Sequence, residues 1–218
     1  MNNLIIVESE SDKYFVEALI KNLNIKNIEV GLPICSIDEY DCLGGFTNLE
    51  KRLKEIRFDK YENIGIILDA DDEGIAKKVE FINETFKNIC SDLNIVDICT
   101  FYKSDKEDIN VACYITNIDG FGELENILKK VKSKESIYAD CLDSWKKCIE
   151  SKGKPVTDKE FNKNWVNNYL RLDTCTSAKH RGNKDKYCSQ KEESIKKDIW
   201  DFNNEYLNDL KKFLMLFQ

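Results

Sequence analysis

Residues 64–74 read Ile-Gly-Ile-Ile-Leu-Asp-Ala-Asp-Asp-Glu-Gly, an apolar run driven into four acids with one small residue between the first two. Carboxylates at the tip of a buried strand repel one another unless they are protonated or hold a cation. Glu8 closes a second short apolar run, residues 4–7, in the same manner. Oxygen-only donors at an i, i+2 spacing, Asp69 and Asp71, suit Mg²⁺ or Mn²⁺, which keep several waters and take one or two carboxylates each. His180 is the one histidine in the chain, which leaves a multi-histidine metal site or a Ser-His-Asp triad almost no raw material. Nine cysteines include no C-x-x-C pair, and their odd count fits reduced, mostly buried thiols rather than zinc or a disulfide framework. Any catalysis therefore falls to carboxylates.

The elements that must position these acids follow from periodicity. Short apolar runs at 4–7, 28–37, 64–68, 95–102 and 109–116 read as strands. Between them, helical periods carry Phe15 and Leu19, then Leu49, Leu53 and Ile56, then Ile75, Val79, Ile82, Phe86 and Ile89, and finally Phe121, Leu124, Ile127, Leu128 and Val131. Strands alternating with helices predict an α/β fold around a mostly parallel sheet. Beyond residue 132 the strands stop, and 138–149, 161–172 and 199–217 read as helices. We expect an α/β domain over 1–132 and a helical C-terminal section over 133–218 packed on it. In a flavodoxin-like strand order the first and third strands are neighbours, and ligands gather at their carboxyl ends. That order sets Glu8 beside Asp69 and Asp71.

Other readings compete for the same acids. Asp69, Asp71, Glu73, Gly74 and Glu80 fall on positions 1, 3, 5, 6 and 12 of an EF-hand loop, but the incoming element is a strand and position 5 is glutamate. A haloacid-dehalogenase phosphatase would carry Thr or Val where Glu73 stands, and a phosphoreceiver would carry paired acids after the first strand. Asp12 and Asp72-Glu73 also suit a helix start, where acids complement the macrodipole. Gly44-Gly45 reads as a turn before a helix or as a phosphate cradle.

The segments IIVESESDKYFVEALI and IILDADDEG together resemble the Toprim domain, the module shared by topoisomerases, bacterial primases, recombination-mediator proteins and OLD-type nucleases. The matching positions are Glu8 after the first strand and Asp69-x-Asp71 after the third. Ser9 stands where members often carry glycine. GFGELENIL and the tail WDFNNEYLNDLKKFL further resemble a small stand-alone bacterial Toprim-related, OLD-nuclease-like group, in which the glutamate of the G-x-L-E segment corresponds to Glu125. The resemblance covers roughly residues 3–130, and the tail only through its last segment. It implies a Rossmann-like Toprim fold and a Mg²⁺- or Mn²⁺-dependent phosphodiester enzyme, nuclease-like on DNA or RNA. Asp69, Asp71 and Glu125 would hold metal, and Glu8 would serve as general acid/base or as a further ligand. The alternative is a non-catalytic Toprim-like regulator that binds a nucleotide or protein partner in the same crevice.

A net charge of −7 argues against a protein that coats nucleic acid by bulk attraction, although divalent ions mask acids locally. The exception is residues 179–197, with seven Lys/Arg against three acids. Lys179, Arg181, Lys184 and Lys186 are the candidate nucleic-acid contacts there, against the simpler reading of a solvated linker. The N-terminus has no cationic leader and no apolar run long enough to span a membrane, so we expect a cytoplasmic protein without a membrane partner; a homodimer is compatible with this reading.

Overall fold

The computed structural model describes residues 2–34, 45–175 and 191–218. Five strands form one sheet: β1 (Asn3–Val7), β2 (Ile28–Val30), β3 (Asn63–Asp69), β4 (Tyr102–Ser104) and β5 (Ile109–Thr116). Their order is β2-β1-β3-β5-β4. The first four in that order run parallel, and β4 closes the edge antiparallel to β5. This is a Rossmann-like α/β sheet, with β1 beside β3 as the sequence leads one to expect.

Side chains alternate across each strand, so each apolar run feeds two cores. Ile5, Val7, Ile67, Ala112 and Tyr114 face one side. There they meet α1 (Glu10–Asn22) and α4 (Leu124–Val131). Leu4, Ile6, Ile64, Ile66, Leu68, Val111, Cys113 and Ile115 face the other, against α2 (Gly45–Glu55) and α3 (Ile75–Lys87).

The chain after residue 132 supplies α5 (Ile137–Asp140), α6 (Leu142–Glu150), α7 (Asp158–Asn168), α8 (Lys191–Ile195) and α9 (Asn208–Met215). Phe161, Trp165, Trp200, Leu210, Phe213 and Phe217 from this part join the first core, so the helical section and the sheet share one apolar interior. Gly65 marks the contact: a Cβ there would lie 2.7 Å from Phe217 Cζ and 2.9 Å from Phe213 Cζ, both on buried rings. At the amino ends of the strands three asparagines in one register row link in series. Asn110 Nδ2 donates to Asn63 Oδ1 (3.0 Å), Asn63 Nδ2 to Asn3 Oδ1 (2.8 Å), and Asn3 Nδ2 to the carbonyl of Phe217 (2.9 Å).

Several sequence expectations need correction. The 95–102 run is not a strand: Asn83 clamps both the N–H and the carbonyl of Ile95 (2.8 and 2.7 Å), and Cys99 turns left-handed at φ 56°, so extension resumes only at Tyr102. Of the 28–37 run, Ile28–Val30 is strand and residues 31–34 are not, while residues 35–37 lie outside the described residues. Helix 138–149 breaks at Cys141 into α5 and α6, and 161–172 passes from α7 into a π turn at Tyr169–Asp173. Residues 199–204 are not helical. They return along α4, where Asp201 N donates to Val131 O (2.6 Å), and Tyr169 Oη donates to Ile199 O (2.9 Å). Among the described cysteines Cys90, Cys99, Cys113, Cys141 and Cys148 are free thiols, as expected, and Cys175 is disulfide-bonded; burial is not the rule, since Cys99 is half-buried and Cys141 and Cys148 are exposed. No helix among the described residues is long and apolar enough to cross a membrane.

Candidate acidic active site

The strand order delivers Glu8 and Asp69 from adjacent carboxyl ends. Glu8 Oε2 accepts a hydrogen bond from Asp69 N at 3.0 Å, joining residues 61 apart in sequence. Asp69 is buried, and its Oδ1 accepts from Leu124 N at 3.2 Å, the first residue of α4. Beyond it the chain turns sharply. Asp71 adopts φ 49°, a left-handed backbone that costs a non-glycine residue energy. A reciprocal pair holds it there: Asp71 N donates to Gly122 O (2.8 Å) and Gly122 N to Asp71 O (2.9 Å). The same pair ties residues 117–123 to the acidic loop and brings Glu123 into the crevice.

Ser9 gives this site a feature that glycine could not. It caps α1, its N–H and hydroxyl donating to Asp12 Oδ2 at 2.9 and 2.5 Å. The helix-start reading of Asp12 is thus correct and incomplete, because the same carboxylate is buried among other acids. Asp12 is pushed up to about 7 by burial and by the charges of Glu8 and Glu125, against the Ser9 hydrogen bonds. Glu8 and Asp69 are also raised, burial being the chief cause in both; the Asp69 N–H opposes it at Glu8, and the charges of Asp12, Glu8, Glu125 and Asp71 add to it at Asp69.

Asp71 behaves in the opposite way. Burial would raise it, but two ammonium groups outweigh burial and hold it below its ordinary value. Lys78 Nζ lies 2.8 Å from Asp71 Oδ2 and 3.2 Å from Glu73 Oε2. Lys159 Nζ, from the first turn of α7, lies 2.8 Å from Asp71 Oδ1 and 3.5 Å from Glu123 Oε2. Glu123 is 4% exposed, is pushed to about 7 by burial and by Glu125, and its Oε1 is buried with no hydrogen-bond partner.

The donor set is all oxygen, as a hard divalent ion requires. Among the described residues, however, no group of three or more Asp, Glu, His or Cys stands in an arrangement that holds a metal ion. Lys78 and Lys159 instead sit on the two oxygens of Asp71, and Lys159 also on Glu123 Oε2. The orphaned Glu123 Oε1, next to a carboxylate pair already gripping an ammonium, fits a cation with more ligating capacity than lysine offers. The donors thus suit Mg²⁺ or Mn²⁺ at the place Lys159 takes.

A family model described as "Protein of unknown function (DUF3226)" matches residues 2–217. The chain belongs to the DUF3226 family. A search of curated proteins gives no match to this DUF3226 protein. Among solved structures, it is similar to the C-terminal region of the Xanthomonas campestris pv. campestris OLD protein, at 11% identity and TM-score 0.35 over 99% of this chain and 95% of that one. It is similar also to the C-terminal region of the Burkholderia pseudomallei OLD protein, at 14% identity and TM-score 0.38 over 100% and 98%. Likenesses of this size transfer no residue role, so the site of the DUF3226 chain rests on its own geometry.

Of the residues singled out from the sequence, Glu8 and Asp69 meet directly and Asp71 lies one turn of loop away. Glu125, in the first turn of α4, adds its charge to Asp12, Asp69 and Glu123. Glu73 pairs with Lys78. Lys179, Arg181, Lys184, Lys186, His180 and Gly44 lie outside the described residues. Glu123, Lys78 and Lys159 went unread. Lys78 could have been found, since it follows the acids on the first turns of the next helix. Lys159 is 88 residues from Asp71 and carried no local signal.

Proposed function

We propose that this DUF3226 protein is a Toprim-type, Mg²⁺-dependent phosphodiester enzyme, nuclease-like on DNA or RNA. The observation that carries the reading is the meeting of Glu8 and Asp69 at the carboxyl ends of β1 and β3, with Asp71 next along the loop, in a crevice where burial makes the charges of Glu8 and Asp69 costly. Asp71 and Glu123, with Asp69 and Glu125 behind them, would hold the ion. Bound there, Mg²⁺ or Mn²⁺ would polarise a phosphate oxygen and stabilise the leaving oxygen. Glu8, oriented through Asp69 N–H, would take or return the proton of the attacking or leaving oxygen. Lys78 keeps Asp71 ionised and offers positive charge to a phosphate. The stretch with Lys179, Arg181, Lys184 and Lys186 would add long-range attraction for the polyanion.

The test is cleavage of plasmid, linear and single-stranded DNA and of RNA, each with Mg²⁺ and with Mn²⁺. Wild type should cut at least one substrate, and Glu8→Gln, which keeps the shape and loses the proton transfer, should cut none while melting normally. A second reading, a non-catalytic regulator binding a nucleotide or protein partner, is favoured by one observation: both oxygens of Asp71 are taken by lysines. Inactivity of the wild type on every substrate would select it.

A further inference from the structure

We infer that the point between Asp71 Oδ1 and Glu123 Oε2 is a cation position which Lys159 fills from the helical section, so that Lys159 and a divalent ion exclude each other there. The inference rests on the metal-centre reading above and adds its regulation. Lys159 Nζ bridges the two carboxylates at 2.8 and 3.5 Å. Mg²⁺ binds oxygen at roughly 2.0–2.1 Å, inside the space the ammonium takes, so the two cannot share both ligands. The ammonium leaves the pocket incompletely satisfied, since Glu123 Oε1 remains buried without a partner.

The two lysines differ in how they can leave. Lys78 belongs to α3 next to Asp71, and its side chain is 15% exposed. The Lys159 side chain is 54% exposed, so rotation about its own stem can carry the ammonium out into solvent. Its base is held in place: α7 is capped by Thr157 and Glu160, each accepting from the other's backbone, and is anchored by buried Phe161 and Trp165. Lys159 is therefore a hinged counter-ion on a fixed post. A phosphate of the substrate offers it a replacement partner. Substrate and divalent ion then favour one another, each relieving the same contact, as reciprocal linkage requires.

Calorimetric titration of Mn²⁺ into the metal-free full chain tests this without reading activity. Lys159→Met and Lys159→Gln should bind Mn²⁺ about tenfold more tightly than wild type, the size of a moderate coupling between sites. Lys159→Arg, which keeps the charge, should bind as wild type does, and adding Glu123→Gln to Lys159→Met should abolish the gain. Equal or weaker Mn²⁺ binding by the neutral variants, absence of binding in all of them, or a gain that survives Glu123→Gln would overturn the inference. A protein that follows the expected pattern and cuts no nucleic acid refutes the enzyme reading alone. One that cuts while Lys159→Met binds no more tightly refutes only the cation position.

Discussion

Asp12→Asn should stabilise the metal-free protein at alkaline pH and destabilise it by about 1–2 kcal/mol in acid, where no charge is relieved. Asp12 has its folded value raised from 3.8 to about 7, first by burial and then by Glu8 and Glu125. An acid raised on folding binds its proton more tightly in the native state, so its contribution is fully present below 3.8 and is lost as pH climbs to about 7. A tenfold change in proton affinity is worth about 1.4 kcal/mol, which caps the loss near ~4 kcal/mol. Asparagine keeps an oxygen for Ser9 N–H and hydroxyl, but its amide needs a new partner at a cost of about 1–2 kcal/mol. The net expectation at pH 8 is a gain of about 2 kcal/mol, or roughly 4–8 °C in a chain of this size. Glu8, Asp69 and Glu123 are raised as well, so the quantity to read is the difference between variant and wild type. Melting by circular dichroism in EDTA at pH 4.5, 6 and 8 gives it directly. A variant less stable than wild type by the same amount at every pH would refute the reasoning and reduce Asp12 to a helix cap.

Metal should raise the melting temperature of wild type by mass action, and the pair Asp69→Asn with Asp71→Asn should remove that shift; a metal response that persists would move the site elsewhere. Gly65→Val should cost about 1–3 kcal/mol in urea unfolding, because its Cβ would press on two packed phenylalanine rings; a change under about 0.5 kcal/mol would mean that the tail helix yields easily.

The sheet was readable because β1 and β3 are apolar runs that end in acids and β5 breaks its own run only at Asn110. The neighbouring of Glu8 and Asp69 followed from topology alone. The reading failed where a side chain elsewhere overrode the pattern. Residues 95–101 look like a strand, yet Asn83 takes the hydrogen bonds of Ile95 that a ladder would need. In the site, Glu125 drew attention through the resemblance, while Glu123 proved the more deeply buried acid; only the backbone pairing of Asp71 with Gly122 reveals which of the two enters the crevice. Lys159 shows the general difficulty. A charge run in a surface helix reads as solvated, and nothing local says that one of its members completes a site built by strands far upstream.

The asparagine row at the foot of the sheet sets an order of events during synthesis. Asn3, in β1, donates to the carbonyl of Phe217, 214 residues later. The aromatic rings that cover Gly65 belong to the same late segment. On the ribosome β1, β3 and β5 can pair early, and α1 and α4 can cover part of one face, but the area around Gly65 stays open until Phe213 and Phe217 have been made. An unfinished chain therefore presents a flat apolar surface with an unpaired amide at its rim, the kind of surface that chaperones bind and that aggregates seed from. Closure of this face must wait for the segment that carries Phe213 and Phe217, and truncation just before residue 213 should be more damaging than the loss of so short a helix suggests.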